Sequence, residues 1–218
     1  MKMTSRSSRL GRTAGTLLLA SAVLLAGCDT DELLEVEDPD TVNPGTLEDP
    51  ELIDIVVAGA IGEFTIAYSG AGGDAYVSVS GVMSDELFAS GSFTTRIATD
   101  RREQFTAQNG NTSDGAYINL QQARRALRDA AVQVEAALGT SDPSYGRLKS
   151  LEGYTYVTLA EGYCSGVPIS TVDENGEFVY GEPTTTNQLL TDAVVRFDDA
   201  LGSGGFASLA AVGKARAL

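Results

Sequence analysis

The stretch YINLQQARRALRDAAVQVEAAL, residues 117–138, sets the firmest limit on what this chain can fold into. Leu120, Ala123, Leu127, Ala130, Val134 and Leu138 recur at steps of three and four, which gathers them on one face of an α-helix. Gly139 is the expected stop, because glycine readily takes the left-handed conformation that closes a helix. After Ser141-Asp142-Pro143 comes SYGRLKSLEGYTYVTLAEGYCSGVP, residues 144–168. Tyr145, Leu148, Leu151, Tyr154, Val157, Leu159, Ala160 and Tyr163 make it apolar on most faces, and Gly166 and Pro168 end it. So short a turn between two such helices folds them back as an antiparallel hairpin. The expected fold is mainly α, made of tetratricopeptide-like helical hairpins with irregular loops and a small β-hairpin.

Flanking segments fill in that plan. ELIDIVVAGAIGEFTIAYSG, residues 51–70, carries Leu52, Ile55, Val56, Gly59, Ile61, Phe64 and Tyr68 at helical spacing and predicts a buried helix. The glycines of residues 70–73 break it, and a second helix is expected from Asp74 to Phe88. Those glycines do not make a dinucleotide fingerprint: Ala75 stands at the third glycine position and no strand precedes them. Residues 89–115 are polar and read as a long loop, a feature uncommon in compact domains unless it has a task. In 169–183, Asn175-Gly176 between short apolar runs predicts a hairpin turn. Residues 184–202 predict a further helix, capped from the Thr184–Thr186 run, with Leu190, Ala193, Phe197 and Ala200 as its stripe. FASLAAVGKARAL begins another helix with no stop signal before Leu218, so this chain is expected to be the front part of a longer protein.

The N-terminus carries an address. Lys2, Arg6, Arg9 and Arg12 precede a largely apolar run of fourteen residues, Ala14 to Gly27. A membrane span needs about 20 such residues, so the run fits the apolar region of a secretory signal at 1–27. No later run is expected to reach spanning length. Leu25-Ala26-Gly27-Cys28 resembles a bacterial lipobox, in which the cysteine thiol is acylated and becomes the new N-terminus. Cys28 is therefore the expected lipid attachment point, and residues 28–50, acidic and carrying three prolines, the expected tether. Leu33, Leu34 and Val36 are expected to pin part of it to the body, residues 51–218.

Charge and composition exclude several chemistries. The formal charge is −15, and removal of the four basic residues of the signal takes it to −19. Such a surface repels nucleic acid and anionic headgroups. No histidine is present, which removes Ser-His-Asp and Cys-His catalysis and histidine-bearing zinc sites. With Cys28 acylated, Cys164 has no disulfide partner, and it reads as a small buried apolar residue. Asp173 to Glu177 invites a calcium reading, but glycine falls at the wrong loop position. No cofactor or metal set is expected.

The lipobox, the acidic tether, two early helices, a long loop, LEGYTYVTLAEGYCSGVP, a threonine-rich helix start and Lys214 to Leu218 together resemble the SusD/RagB family. The likeness covers most of the mature chain and rests most on the step from Tyr163 to Val167-Pro168. Members of that family are about twice this length. The resemblance implies an outer-membrane lipoprotein at the cell surface, a lid on a SusC-like TonB-dependent transporter that captures oligosaccharides or peptides without cleaving them. Within 89–115, Phe93, Arg96 and Arg101 are the candidate ligand-binding residues. Two other classes stay open: a periplasmic tetratricopeptide-like scaffold lipoprotein that binds partner proteins, and a glycosidase using two carboxylates. Asp29 favours inner-membrane retention in some bacteria, whereas the acidic run favours the surface.

Overall fold

Asp142 opens the central helix of the fold. Its carboxylate accepts a hydrogen bond from the Ser144 amide at 2.8 Å, and Pro143 supplies a first position that needs no amide donor. Gly139, at φ +84°, takes the left-handed turn that leads into it. In the computed structural model, which describes residues 49–70, 75–103, 111–173 and 175–218, this turn joins α4 (Asn111–Leu138) to α5 (Pro143–Tyr163). The other elements are α1 (Ile53–Ser69, entered through a tight turn at Pro50–Leu52), α2 (Tyr76–Met83), α3 (Thr94–Asp100), α6 (Thr186–Leu201) and α7 (Ala207–Ala217). Four two-residue strands, β1 (Val167–Pro168), β2 (Thr171–Val172), β3 (Phe178–Val179) and β4 (Pro183–Thr184), lie between α5 and α6.

Helix α5 is the central element. Twelve of its 21 residues are buried, so it must meet neighbours on several sides. Tyr117 of α4 meets Tyr163 edge to face at 5.1 Å, and Arg124 lies over Tyr156 at 5.9 Å, which fixes α4 and α5 as antiparallel. Helix α6 runs antiparallel to α5 as well, through Tyr154–Phe197 ring contact at 5.2 Å and the pairs described next. Helix α7 then runs parallel to α5. The Tyr154 hydroxyl donates to the Leu209 carbonyl, and Arg216 forks onto both carboxylate oxygens of Glu161 at 2.8 and 2.6 Å, so the two contacts share one sequence offset.

Two apolar clusters result. Leu120, Tyr156, Leu159, Leu189 and Phe197 anchor one where α4, α5, α6 and α7 meet. Ile53, Ala60, Leu127, Val134 and Leu148 anchor the other where α1 meets α4 and α5. The first cluster is keyed by Phe197, which is fully buried. A Cβ on Gly153 of α5 would come within 2.7 Å of its ring, and one on Gly213 of α7 would come closer still. Both glycines are there because the ring needs the space.

One acid is buried with the core. Glu152 has no exposed surface, yet it accepts hydrogen bonds from Lys149 Nζ at 3.0 Å and Arg196 Nε at 3.1 Å. Burial works against the charge on Arg196, but the Glu152 carboxylate prevails and holds its pKa above the ordinary value. Lys149 also reaches Asp199 at 3.5 Å. These contacts stitch α5 to α6 with charge.

Several expectations need correction. Helix α1 is not buried on most sides: Ile55 and Ile66 are about half exposed, and Ile53, Ala60 and Ala67 carry its burial. The pattern was apolar all round, so it could not say which side would find a partner. The twenty residues Pro50–Ser69 are also long and apolar enough, by length and composition alone, to cross a membrane, contrary to the expectation that no later run is. Here α1 packs on α4. The second helix ends at Met83 rather than Phe88, because Asp85 takes a left-handed φ of 63° and the Leu87 amide turns back to the Gly81 carbonyl. The stretch 89–115 is not one loop: α3 lies within it and α4 begins at Asn111. Helix α5 ends at Tyr163, and Cys164 beyond it is exposed rather than buried, with φ 58°. On α6 the stripe runs through Leu189, with Leu190 half-buried. Cys28, the signal, the tether anchors Leu33, Leu34 and Val36, and Asp74 lie outside the described residues.

Candidate functional site

The hairpin predicted around Asn175-Gly176 forms as two nested antiparallel ladders. Val167 and Pro168 pair with Thr184 and Pro183, and Thr171 and Val172 pair with Val179 and Phe178. The tip is an aspartate-centred turn. The Asp173 carboxylate accepts from the Asn175 and Glu177 amides, both at 2.9 Å, and Gly176 takes φ +83°. Those bonds, Glu177 first, lower the Asp173 pKa. Where the two ladders meet, a Cβ on Gly181 would come within 2.4 Å of the Ile169 carbonyl, so the close approach requires glycine. Thr185 then opens α6 with a capping box on Gln188.

Residues from α4 clasp this hairpin to the helical body. Arg124, 3% exposed, donates to the Ser170 carbonyl at 2.7 Å and to Gln121 Oε1 at 2.9 Å. The Gln121 amide donates in turn to the Pro168 carbonyl and the Tyr117 hydroxyl. The reason for these polar residues on an otherwise apolar face is thus the hairpin's own backbone: two of its carbonyls find donors there.

Between hairpin and helix runs a groove of about 620 Å³. Tyr117, Gln122 and Arg125 face it from α4, and Phe178 and Tyr180 from the hairpin. Phe178 and Tyr180 are two residues apart and therefore on one side of their strand. Their rings stack at 6.3 Å with an interplanar angle of 24° and are largely exposed, Tyr180 at 83%. Among the described residues, no aspartate or glutamate lines the groove. The amides and guanidinium supply hydrogen-bond donors and acceptors beside an aromatic platform, the usual makings of a site for a polar ring-bearing ligand.

A second cavity of about 830 Å³ shares Tyr117 and Ile118 with this groove and is closed on its other side by Tyr76, Met83 and Tyr163. Its wall also holds an acid, Glu161, whose carboxylate is held by Arg216. Burial, and then the Glu161 carboxylate, push the Tyr76 phenol above its ordinary pKa.

The residues singled out from the sequence sit elsewhere. Phe93 precedes α3, and the Arg96 guanidinium lies over its ring at 4.6 Å, covering one face of it. Arg101 follows α3 and pairs with Glu103 at 3.7 Å. Phe93 and Arg96 are thus brought together, Arg101 stands at the other end of the same short helix, and none of the three lines either cavity. The groove residues carried signals of their own: aromatics at i and i+2 beside a turn, and three arginines within 124–128 of an acidic chain. Comparison with protein-family models, with characterised proteins and with solved structures finds no match to this chain.

Proposed function

We propose that this chain is a lipid-anchored outer-membrane lipoprotein of SusD/RagB type that captures oligosaccharides at the cell surface and passes them to a SusC-like TonB-dependent transporter. It binds without cleaving. The observation that carries the reading is the groove beside the hairpin. The apolar face of a pyranose ring suits the exposed Phe178–Tyr180 stack, and its hydroxyls suit the Gln122 amide, which both donates and accepts. The sequence of the first forty residues supports the rest: a basic start, a short apolar run, a lipobox at Cys28 and an acidic tether. The layout of two successive hairpins, α4–α5 and α6–α7, with α5 and α7 parallel at a constant offset, supports a tetratricopeptide-like arrangement.

Three results test this. Affinity purification of the tagged full chain from detergent-solubilised envelope, followed by mass spectrometry, is expected to recover a TonB-dependent barrel in stoichiometric amount. Recovery of soluble periplasmic partners alone overturns the transporter reading and favours a helical scaffold. Cys28→Ala is expected to abolish metabolic labelling with palmitate and to move the protein from the membrane pellet to the soluble fraction, since each buried methylene contributes about 0.8 kcal/mol to anchoring. Phe178→Ala and Tyr180→Ala are each expected to weaken oligosaccharide binding roughly tenfold, as removal of a central aromatic contact does. Unchanged isothermal-titration affinities would remove the groove from consideration.

A further inference from the structure

The groove carries a charge opposite to that of the molecule. The chain as a whole stands at −15, with thirty acids against fifteen bases. Along its described lining the balance reverses: the charged side chains there are Arg124 and Arg125, while the acids Asp173 and Glu177 stand next in sequence to the lining residues Val172 and Phe178. Arg124, Arg125 and Arg128 follow one another along α4, and the carboxylate of Asp129 pairs with the last two. That carboxylate is committed mainly to Arg128, which holds one oxygen through two nitrogens at 2.9 and 2.7 Å. Arg125 reaches its other oxygen at 3.3 Å, with 44% of the Arg125 side chain exposed. Arg124 makes no ion pair among the described residues: its hydrogen bonds go to an amide and a carbonyl, although it is almost fully buried. A buried guanidinium without a carboxylate leaves positive potential at the surface above it. The described acids of the hairpin, Asp173, Glu177 and Glu182, do not line the groove.

We propose that the groove selects anionic oligosaccharides, those bearing uronic acid or sulfate groups, and that Arg125 is the residue that meets the anion. The inference rests on the ligand-capture reading and deepens it. Guanidinium matches the planar, two-oxygen geometry of a carboxylate or a sulfate edge, and such charge-assisted bonds are about twice as strong as neutral ones. Arg125 needs no rearrangement beyond leaving Asp129, which keeps Arg128. The acidic body repels an anionic ligand at a distance, but that repulsion is screened within about 8 Å at physiological ionic strength. The Arg124 and Arg125 guanidiniums line the groove and act inside that range. Phe178 and Tyr180 hold the ring, and Arg125 reads its substituent.

The test uses the full chain, purified in detergent, on a glycan array spanning neutral, uronic-acid-bearing and sulfated oligosaccharides, followed by titration of the best acidic and best neutral ligands at one ionic strength. The expected result is an acidic preference of about tenfold. Arg125→Gln is expected to collapse that margin between acidic and neutral ligands, and Phe178→Ala to weaken both classes. If neutral sugars bind as well as or better than acidic ones, or if Arg125→Gln leaves the margin intact, the selectivity inference is overturned while the groove remains a sugar site. If the unaltered protein binds no glycan of any class, both the inference and the capture reading fail.

Discussion

Phe197→Ala is expected to lower the free energy of unfolding by about 3–5 kcal/mol, the range for deleting a buried aromatic ring where the surroundings cannot close the gap. That is a large share of the roughly 5–15 kcal/mol that holds a domain of this kind together. The surroundings cannot close because three helices meet at this ring. Phe197 comes from α6, Gly153 from α5 and Gly213 from α7, and Tyr154 sets its edge against the ring at 5.2 Å. Helix backbones do not shift cheaply toward an empty site. Urea unfolding followed by circular dichroism would read the loss as a lower midpoint with an unchanged slope. A loss under about 1 kcal/mol would mean that the helices collapse onto the space and that the ring is not their keystone. The converse changes should also be costly. Gly153→Ala and Gly213→Ala place a methyl against the ring and should each cost about 1–3 kcal/mol, and either should be less harmful beside Phe197→Leu.

Glu152→Ala is expected to cost about 3–5 kcal/mol by the same measurement, for a different reason. Its carboxylate is fully buried and holds both Lys149 and Arg196, whose side chains are only 13% and 25% exposed. Removing the acid strands two cations in a place that water reaches poorly. Lys149 retains Asp199, at 3.5 Å, so the loss should fall toward the lower end of the range. Glu152→Gln preserves the shape and should still destabilise, which separates the charge from the packing. Replacement of all three charged residues by apolar ones of similar volume should recover most of the loss, because the desolvation of the ions disappears with them. A destabilisation in Glu152→Ala that the triple replacement does not relieve would contradict this account.

The α4–α5 pair was legible because both periodicity and punctuation were unambiguous. Leu120, Ala123, Leu127, Ala130 and Val134 are buried as their spacing requires, and Gly139 and Asp142-Pro143 turn the chain where they stand. The start of α4 was not legible. Asn111 to Gly115 carries no apolar residue, so hydrophobic spacing has nothing there to mark a helical turn. On α1 the opposite problem arose, since a helix apolar all round gives no direction. Glu152 could have been noticed as an acid in the middle of an apolar helix with lysine three residues earlier, but its second partner, Arg196, is 44 residues away. The groove has the same origin. Phe178 and Tyr180 fall within the hairpin predicted over 169–183, and nothing local says that α4 will stand opposite them. Phe93, Arg96 and Arg101 drew attention because they lay in a polar stretch, yet Arg96 folds over Phe93 and Arg101 over Glu103. A cation next to an aromatic in sequence often finds that aromatic first.

The hairpin that walls the groove is fastened lightly. Its ladders are two residue pairs each, and a two-stranded ribbon of that length does not stand alone in water. What steadies it is the grip of Arg124 and Gln121 on the Pro168 and Ser170 carbonyls. The wall is therefore expected to open before the helices do, because local opening needs far less free energy than global unfolding. A guest that touches both Tyr180 and Arg125 bridges the moving wall to the fixed one. Its residence time is then governed by how often the hinge lets go, and the same polar clasp that builds the groove also sets how long anything stays in it.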